Sequence, residues 1–496
     1  MQHMQLTVTR RKSVFLPDPK RVITRFLYTS DERSINIIRK ILAMSDSEIS
    51  VELNQVLREY SKRHRNISRT FEIHFNKLSG LFDEMGIKTN KIGSMRKALI
   101  GSCFTKEYSI ESAAFFNPSI VEDTYQSKLA PGEKRVILSF RATGEGHISS
   151  IVFRSAVIDR NGNMRVESVG SMLAEADRIK RHTYKKKTFI KELREMYDIE
   201  NDVTSAFVLD NLDDLFTYDD LKSAVEETRR VHQLSSSKEL ITTQMMWLAR
   251  SHYEIDFSLD SALSERVIFP IAKSEKSGIE DARFVKFTDD NGEITYYATY
   301  TAYDGNTILS KLLETKDFYH FKGVPVHGEL VHNKGMALFP RKINGKYAML
   351  CRTDGVNNYI SYSDNINIWN EATLIQKPEY SWEMLQIGNC GSPIETDEGW
   401  LVITHGVGPM REYALGASLY ELDNPEKEIG RLKTPLLAPN EDEREGYVPN
   451  VVYSCGSIIH NGNLIIPYAM SDYASTYATV DLSELLTELK KPHSSP

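Results

Sequence analysis

The sequence predicts a mainly β fold, a five-bladed β-propeller with an N-terminal α-helical extension and a helical insertion. Three observations predict it. An apolar run, a turn and a second apolar run ending on a polar residue recur five times. The turns are Pro131-Gly132, Asn291-Gly292, Asn344-Gly345, Glu398-Gly399 and Asn461-Gly462, which is hairpin chemistry. The units lie tens of residues apart, as sheets repeated around an axis do, while helical spacing is confined to the first hundred residues and one internal block.

Residues 1–105 read as the helical extension, with three or four helices. Ser45-Asp46-Ser47-Glu48 is a capping box ahead of Ile49, Leu53, Val56, Leu57 and Tyr60 at helical spacing. Thr29 to Glu32 repeats the cap signal, and Phe71, Phe75, Leu78 and Phe82 form another stripe. Residues 106–172 begin the propeller with Asn117 to Val121 and Val136 to Phe140, ending at Arg141. Residues 173–244 read as the insertion. Leu173 to Tyr197 is charged and strand-poor, and its basic run Lys180 to Lys187 is expected on a solvated helix face. Leu212 to Arg230 is acidic at its start and basic at its end, matching a helix dipole. Ser236 to Glu239 is a further capping box. Residues 245–488 hold the remaining units, and the polar tail from Lys490 is expected to fray.

Composition narrows the function. With 61 basic and 68 acidic residues the net charge is −7, which excludes a nucleic-acid binder in bulk. Cys103, Cys351, Cys390 and Cys455 form no CxxC pair, so neither zinc nor a disulfide framework is indicated. Met1 to Lys20 mixes Arg and Lys with isolated apolar residues, so no signal peptide is expected, and no apolar stretch reaches the ~18 residues that span a membrane. The expectation is a soluble cytoplasmic protein without metal or organic cofactor.

The residues suited to chemistry stand at strand ends. Gly278-Ile279-Glu280-Asp281-Ala282-Arg283 sets two carboxylates at a strand entrance, as general acid work requires. A plain turn with a local Asp–Arg ion pair would look the same. Arg141, Lys334, Arg352 and His405 end or flank successive units, and several cations around one mouth suit an oxyanion. Asp472 adds a carboxylate from the last unit. Tyr303, Trp382, Tyr413 and Tyr453 lie nearby in sequence, as rings for sugar or as packing between blades.

These strings resemble glycoside hydrolase family 130, the inverting β-mannoside phosphorylases and mannosidases. The resemblance is carried by Gly278 to Arg283, Asn333 to Pro340, Gly345 to Arg352, Gly399 to Val407, Tyr413 to Ala417, Pro449 to Gly456 and Asp472. It covers about half the chain and implies a five-bladed propeller. It implies Asp281 as proton donor, with the proton reaching the glycosidic oxygen through a sugar hydroxyl. Lys334, Arg352, His405 and Tyr413 match phosphate-contacting positions; Asn117, Arg141, Glu280 and Asp472 match contacts to the mannosyl unit. Inorganic phosphate is then a co-substrate, attacking the anomeric carbon of a mannose-containing oligosaccharide to give α-mannose 1-phosphate. Gln386 departs from the pattern, because phosphorylases commonly carry Lys there.

Two other functions compete. An inverting β-mannosidase needs a carboxylate base for water, for which Glu383, Glu443 and Glu445 are candidates. A non-catalytic propeller would bind sugar or protein. Gly144 to Ser150 either shapes the sugar pocket or is a turn. The helical blocks either cover the mouth or pair subunits in a homo-oligomer.

Overall fold

Five antiparallel sheets of four to six strands carry most of the computed structural model, which describes residues 6–170, 172–176, 178–180, 183–197, 208–231, 235–305, 308–331 and 333–491. The protein is mainly β. The first sheet holds Ala114–Glu122, Lys134–Thr143 and Ser149–Ile158, with Met164–Val166 and Val267–Ile268 beside the last. The second runs Gly278–Thr288, Ile294–Tyr303, Ile308–Thr315, His320–Pro325, Tyr253–Asp256, Arg178–Lys180. The third is Ala337–Leu338, Tyr347–Cys351, Asn358–Ser363 and Thr373–Gln376. The fourth is Gln386–Asn389, Gly399–Val407, Tyr413–Tyr420 and Glu428–Arg431, with Ile394–Thr396. The fifth joins Val452–Tyr453, Ile458–His460, Asn463–Met470 and Ala474–Asp481 to Val8–Arg10 from the other end of the chain.

The strands read as continuous apolar runs because both faces are covered. Successive side chains point to opposite faces. In Gly399–Val407, Leu401 and Ile403 pack with Leu464, Ile466 and Tyr468 of the fifth sheet, while Trp400 and Val402 pack with Phe339, Leu350 and Ile360 on the third-sheet side. The same sharing recurs elsewhere. Val285, Phe287 and Leu312 meet Leu338 and Met349. Phe284 and Phe321 meet Ile137 and Phe153. Phe115 and Val136 meet Ile465 and Tyr477. Each sheet thus shares a core with the one before and the one after it, and the fifth with the first. Each fully buried Val, Leu or Phe contributes on the order of 1.5–3 kcal/mol.

Two helical groups have cores of their own. Ile38, Ile49, Phe75, Phe82 and Ile100 unite the helices Asp31–Ala43, Asp46–Tyr60, Ile67–Asn76, Ser79–Glu84 and Ser94–Cys103. Phe189, Val225 and Met245 unite Lys186–Tyr197, Tyr218–Val231 and Ser236–Ser251. The Ser45 capping box forms as expected. The first helix is capped one residue later than expected, by Ser30, whose hydroxyl accepts from the Arg33 amide. The Phe71–Phe82 stripe is split over two helices, broken at Lys77 and Leu78. No box closes around Ser236, because that residue is already helical and Glu239 instead receives the Arg229 guanidinium.

The basic run is not one helix face. Lys180 ends a strand that pairs with Tyr253–Asp256, Tyr184 is buried with its hydroxyl on the Ala249 carbonyl, and Lys186 opens a helix. Arg181 and His182 lie outside the described residues, as do residues 492–496 of the tail and 1–5 of the N-terminus. Among the described residues no helix is long and apolar enough to cross a membrane.

Candidate active site

Two β-bulges build one wall of a cavity of about 490 Å³. The pairing of Ala114–Glu122 with Lys134–Thr143 shifts between Phe116 and Ser119, and that of Gly278–Thr288 with Ile294–Tyr303 shifts between Glu280 and Arg283. Asn117 and Asp281 sit in these shifts with φ of 49° and 55°, strained values for residues with a Cβ. A bulge re-aims the side chain of the extra residue. Here it brings the Asn117 amide within 2.7 Å of Asp281 Oδ1, to which Nδ2 donates. Asp472 has φ of 51° and follows Ser471 at 49°.

Eight of the nine residues singled out from the sequence line this one cavity: Asn117, Arg141, Asp281, Lys334, Arg352, His405, Tyr413 and Asp472. The ninth, Glu280, holds two of them. It accepts from Arg141 Nη2 at 2.8 Å and from Lys334 Nζ at 2.6 Å. Arg141 is fixed further by Nε on Ser149 Oγ at 2.8 Å, so the Gly144–Ser150 segment serves the site through its last residues. The local Asp281–Arg283 ion pair is absent. Asp281 instead faces Arg141 at 3.5 Å.

The opposite wall is cationic and aromatic. Arg352 Nη1 and Gln386 Nε2 each lie 3.1 Å from His405 Nε2, and His405 Nδ1 lies 3.2 Å from the Asn389 carbonyl. A carbonyl only accepts, so Nδ1 carries the proton and Nε2 accepts from both neighbours. Gly388 permits this approach, since a Cβ there would fall 2.4 Å from His405 Cε1. Tyr413 and Tyr453 flank the imidazole at ring distances of 6.0 and 5.0 Å.

The charges are tuned by burial and by each other. Burial and the adjacent Arg352 and Arg283 charges push the His405 imidazole well below its ordinary value, so it is neutral. Burial raises the Asp281 carboxyl, but Arg141, Lys334, Arg283 and the Asn117 hydrogen bond outweigh it and hold Asp281 below the usual aspartate value. Burial and the Asp281 charge push Asp472 up to about 6.

The raised Asp472 makes a prediction. Between its ordinary value of 3.8 and about 6 the folded protein binds a proton that the unfolded chain has released. Stability therefore falls as pH rises through that window, costing roughly 3 kcal/mol above it. Asp472→Asn is expected to melt above the wild type at pH 8, with the gap closing near pH 4. Equal melting at pH 8, or a wider gap at pH 4, would contradict the assignment.

Sequence reasoning gave Arg283 no role at the site and read Tyr453 only as a ring for sugar or packing. Arg283 is 3% exposed and donates from Nη2 to the Tyr453 hydroxyl at 2.6 Å. Its signal was an arginine directly after the Glu280-Asp281 pair, at the head of a buried strand. The glutamates suggested as bases stand elsewhere. Glu383 accepts from Arg431 at 2.6 Å, Glu443 from Tyr468 at 2.6 Å and Arg10 at 3.1 Å, and Glu445 is exposed outside the cavity. Among the described residues no cluster of His, Cys, Asp and Glu could hold a metal ion.

A mainly β chain with carboxylates facing cations across one cavity has the features of a carbohydrate-active enzyme. The chain belongs to glycoside hydrolase family 130: the family profile, described as β-1,4-mannooligosaccharide phosphorylase, matches residues 229–491, just over half of the chain. It is 34% identical over 230 residues to a 1,2-β-oligomannan phosphorylase of Thermoanaerobacter sp. (strain X514), covering 45% of this chain and 75% of that protein. It is 28% identical over 292 residues to a β-1,2-mannobiose phosphorylase of Listeria innocua serovar 6a, covering 55% and 78%. The solved β-1,2-mannobiose complex of the phosphorylase from Listeria innocua aligns with TM-score 0.46 and 23% identity over 77% of this chain and 93% of that one. Another solved structure, with TM-score 0.45 and 14% identity over 75% and 86%, is described as showing that the family also contains hydrolases of β-1,2-mannosidic linkages in Candida mannan.

Proposed function

We propose that the protein is an inverting β-mannoside phosphorylase, releasing α-mannose 1-phosphate and a shortened sugar. One observation carries phosphorolysis over hydrolysis. Among the described residues no carboxylate lies within 4.0 Å of the Arg283 or Arg352 guanidinium, whereas Arg141 and Lys334 are paired with Glu280 and Asp281. Desolvated cations without a countercharge are costly, and a bound oxyanion removes that cost. Water as nucleophile would need a carboxylate base, and Glu383 and Glu443 are already held by arginines away from the cavity.

Asp281 is the proton donor, acting through a sugar hydroxyl. Asn117, Arg141, Glu280 and Asp472 hold the mannosyl unit. Lys334, Arg352, His405 and Tyr413 form the phosphate side, with His405 orienting Arg352. The surrounding cations keep Asp281 ionised; an arriving phosphate dianion offsets them and raises its pKa toward that of an acid. Phosphate held opposite the leaving group needs positioning and electrostatic support but no base. The names of the two relatives above favour a β-1,2-linked substrate.

The scaffold of this reading is a five-bladed propeller, supported by the ring of shared cores. Residues 106–172 and 245–488 supply most of the propeller, to which the extension 1–105 adds Val8–Arg10 and the insertion 173–244 adds Arg178–Lys180. Four free thiols suit a cytoplasmic enzyme.

The test is release of mannose 1-phosphate from β-1,2- and β-1,4-mannobiose with and without millimolar phosphate. Mannose 1-phosphate formed only with phosphate is expected. Free mannose formed regardless of phosphate would establish the hydrolytic reading, which Gln386 favours by standing in place of a cation.

A further inference from the structure

We infer that Tyr453 is a phosphate-binding hydrogen-bond donor of this cavity, and that the buried Arg283 behind it is a positioning residue that sets the direction of its hydroxyl. The inference rests on the phosphorolysis reading.

A guanidinium has no acceptor capacity. In the 2.6 Å contact between Arg283 Nη2 and the Tyr453 hydroxyl, the oxygen must therefore accept. The hydroxyl proton is left to point elsewhere, and among the described residues no second partner takes it. Tyr453 lines the cavity beside Arg352, Lys334 and Tyr413, so the place left for an acceptor is the cavity itself. Burial keeps the hydroxyl protonated.

Local structure fixes the ring. The short strand Val452–Tyr453 pairs with Ala469–Met470, and its alternation buries Val452 while Tyr453 faces the site. The ring stands edge-on to His405, at 62° and 5.0 Å. His405 itself has no proton to offer an anion. Nδ1 is committed to the Asn389 carbonyl, and Nε2 accepts from Arg352 and Gln386. The donors on this wall then include Arg352, Gln386, Tyr413 and Tyr453. Of the two tyrosines, only Tyr453 is backed by a buried cation, since the arginine on Tyr413, Arg411, is exposed. An N–H from a cation polarises the hydroxyl it bonds and strengthens it as a donor.

The experiment measures phosphorolysis kinetics and thermal melting for the wild type and Tyr453→Phe, with inorganic phosphate and with β-1,2-mannobiose. Losing a hydrogen bond to a charged ligand is expected to raise the phosphate KM roughly ten- to a hundredfold. The mannobiose KM should stay within about twofold. Phosphate should raise the melting temperature of the variant less than that of the wild type, and mannobiose should raise both alike. Arg283→Met should raise the phosphate KM similarly and add little in the double variant, as expected of two residues in one chain of hydrogen bonds. A phosphate-requiring enzyme whose Tyr453→Phe variant keeps its phosphate KM overturns this inference alone. So does a variant in which both ligand-induced shifts fall together. A wild type that cleaves without phosphate and shows no phosphate-induced shift overturns the phosphorolysis reading as well. If Tyr453→Phe does not fold, a crystal structure of the wild type with inorganic phosphate decides. Tyr453 Oη should lie about 2.5–3.0 Å from a phosphate oxygen, and a separation beyond about 3.5 Å refutes the inference.

Discussion

Asp281→Asn is expected to lower kcat for mannoside cleavage by about 10²–10⁴-fold, the range that general acid catalysis supplies, while leaving the fold intact. The substitution keeps shape and volume. The Asn117 amide can still donate to the new side-chain oxygen, and Arg141 keeps its bond to Glu280. What disappears is the transferable proton. A dinitrophenyl β-mannoside, whose leaving group needs no proton, should therefore lose far less than mannobiose does. Steady-state rates on the two substrates give the comparison. Equal losses on both would assign Asp281 to substrate binding, and unchanged mannobiose cleavage would remove it from the mechanism.

Arg352→Met is expected to raise the phosphate KM on the order of 10²-fold, about 3 kcal/mol, because it deletes a charge from a desolvated site. Thermal stability should move the other way or not at all. The Arg352 Nε is buried without a partner, and among the described residues no carboxylate is paired with the guanidinium. Exchanging such a cation for an apolar chain of similar volume is neutral or stabilising. Phosphate kinetics and a melting curve in phosphate-free buffer test both halves. A large drop in melting temperature with an unchanged phosphate KM would make Arg352 a structural residue instead.

Both expectations use charges whose states were not legible in the chain. His405 reads as a cation from sequence, yet it is 1% exposed between two arginines and neutral. Gln386 reads as a lost cation, yet its amide shares the His405 acceptor with Arg352. Arg283 reads as the ion-pair partner of Asp281, but the bulge between Glu280 and Arg283 changes the register and sends it to Tyr453. Protonation and pairing depend on neighbours contributed by other sheets, which no local pattern encodes.

Local chemistry, by contrast, was legible. Asn344-Gly345 and Asn461-Gly462 mark turns because left-handed φ is demanded there, and φ at these residues is 49°, 79°, 46° and 74°. The Ser45 box forms because donor and acceptor lie three residues apart on one helix turn. The cap at Ser30 and the split Phe71–Phe82 stripe show the limit of such signals, which locate a helix to within a residue or two.

The sequence by itself therefore determined the hairpins, the helical blocks, the mainly β class and the kinds of side chain at the strand ends, since these follow from neighbours a few residues apart. Tertiary structure alone decided that Val8–Arg10 completes the fifth sheet, that Lys180 belongs to a strand, and that Asn117 and Asp281 turn toward each other. The physical reason is the same in each case. Pairing partners, burial and countercharges come from residues tens to hundreds of positions away, and their energies exist only once the sheets have packed.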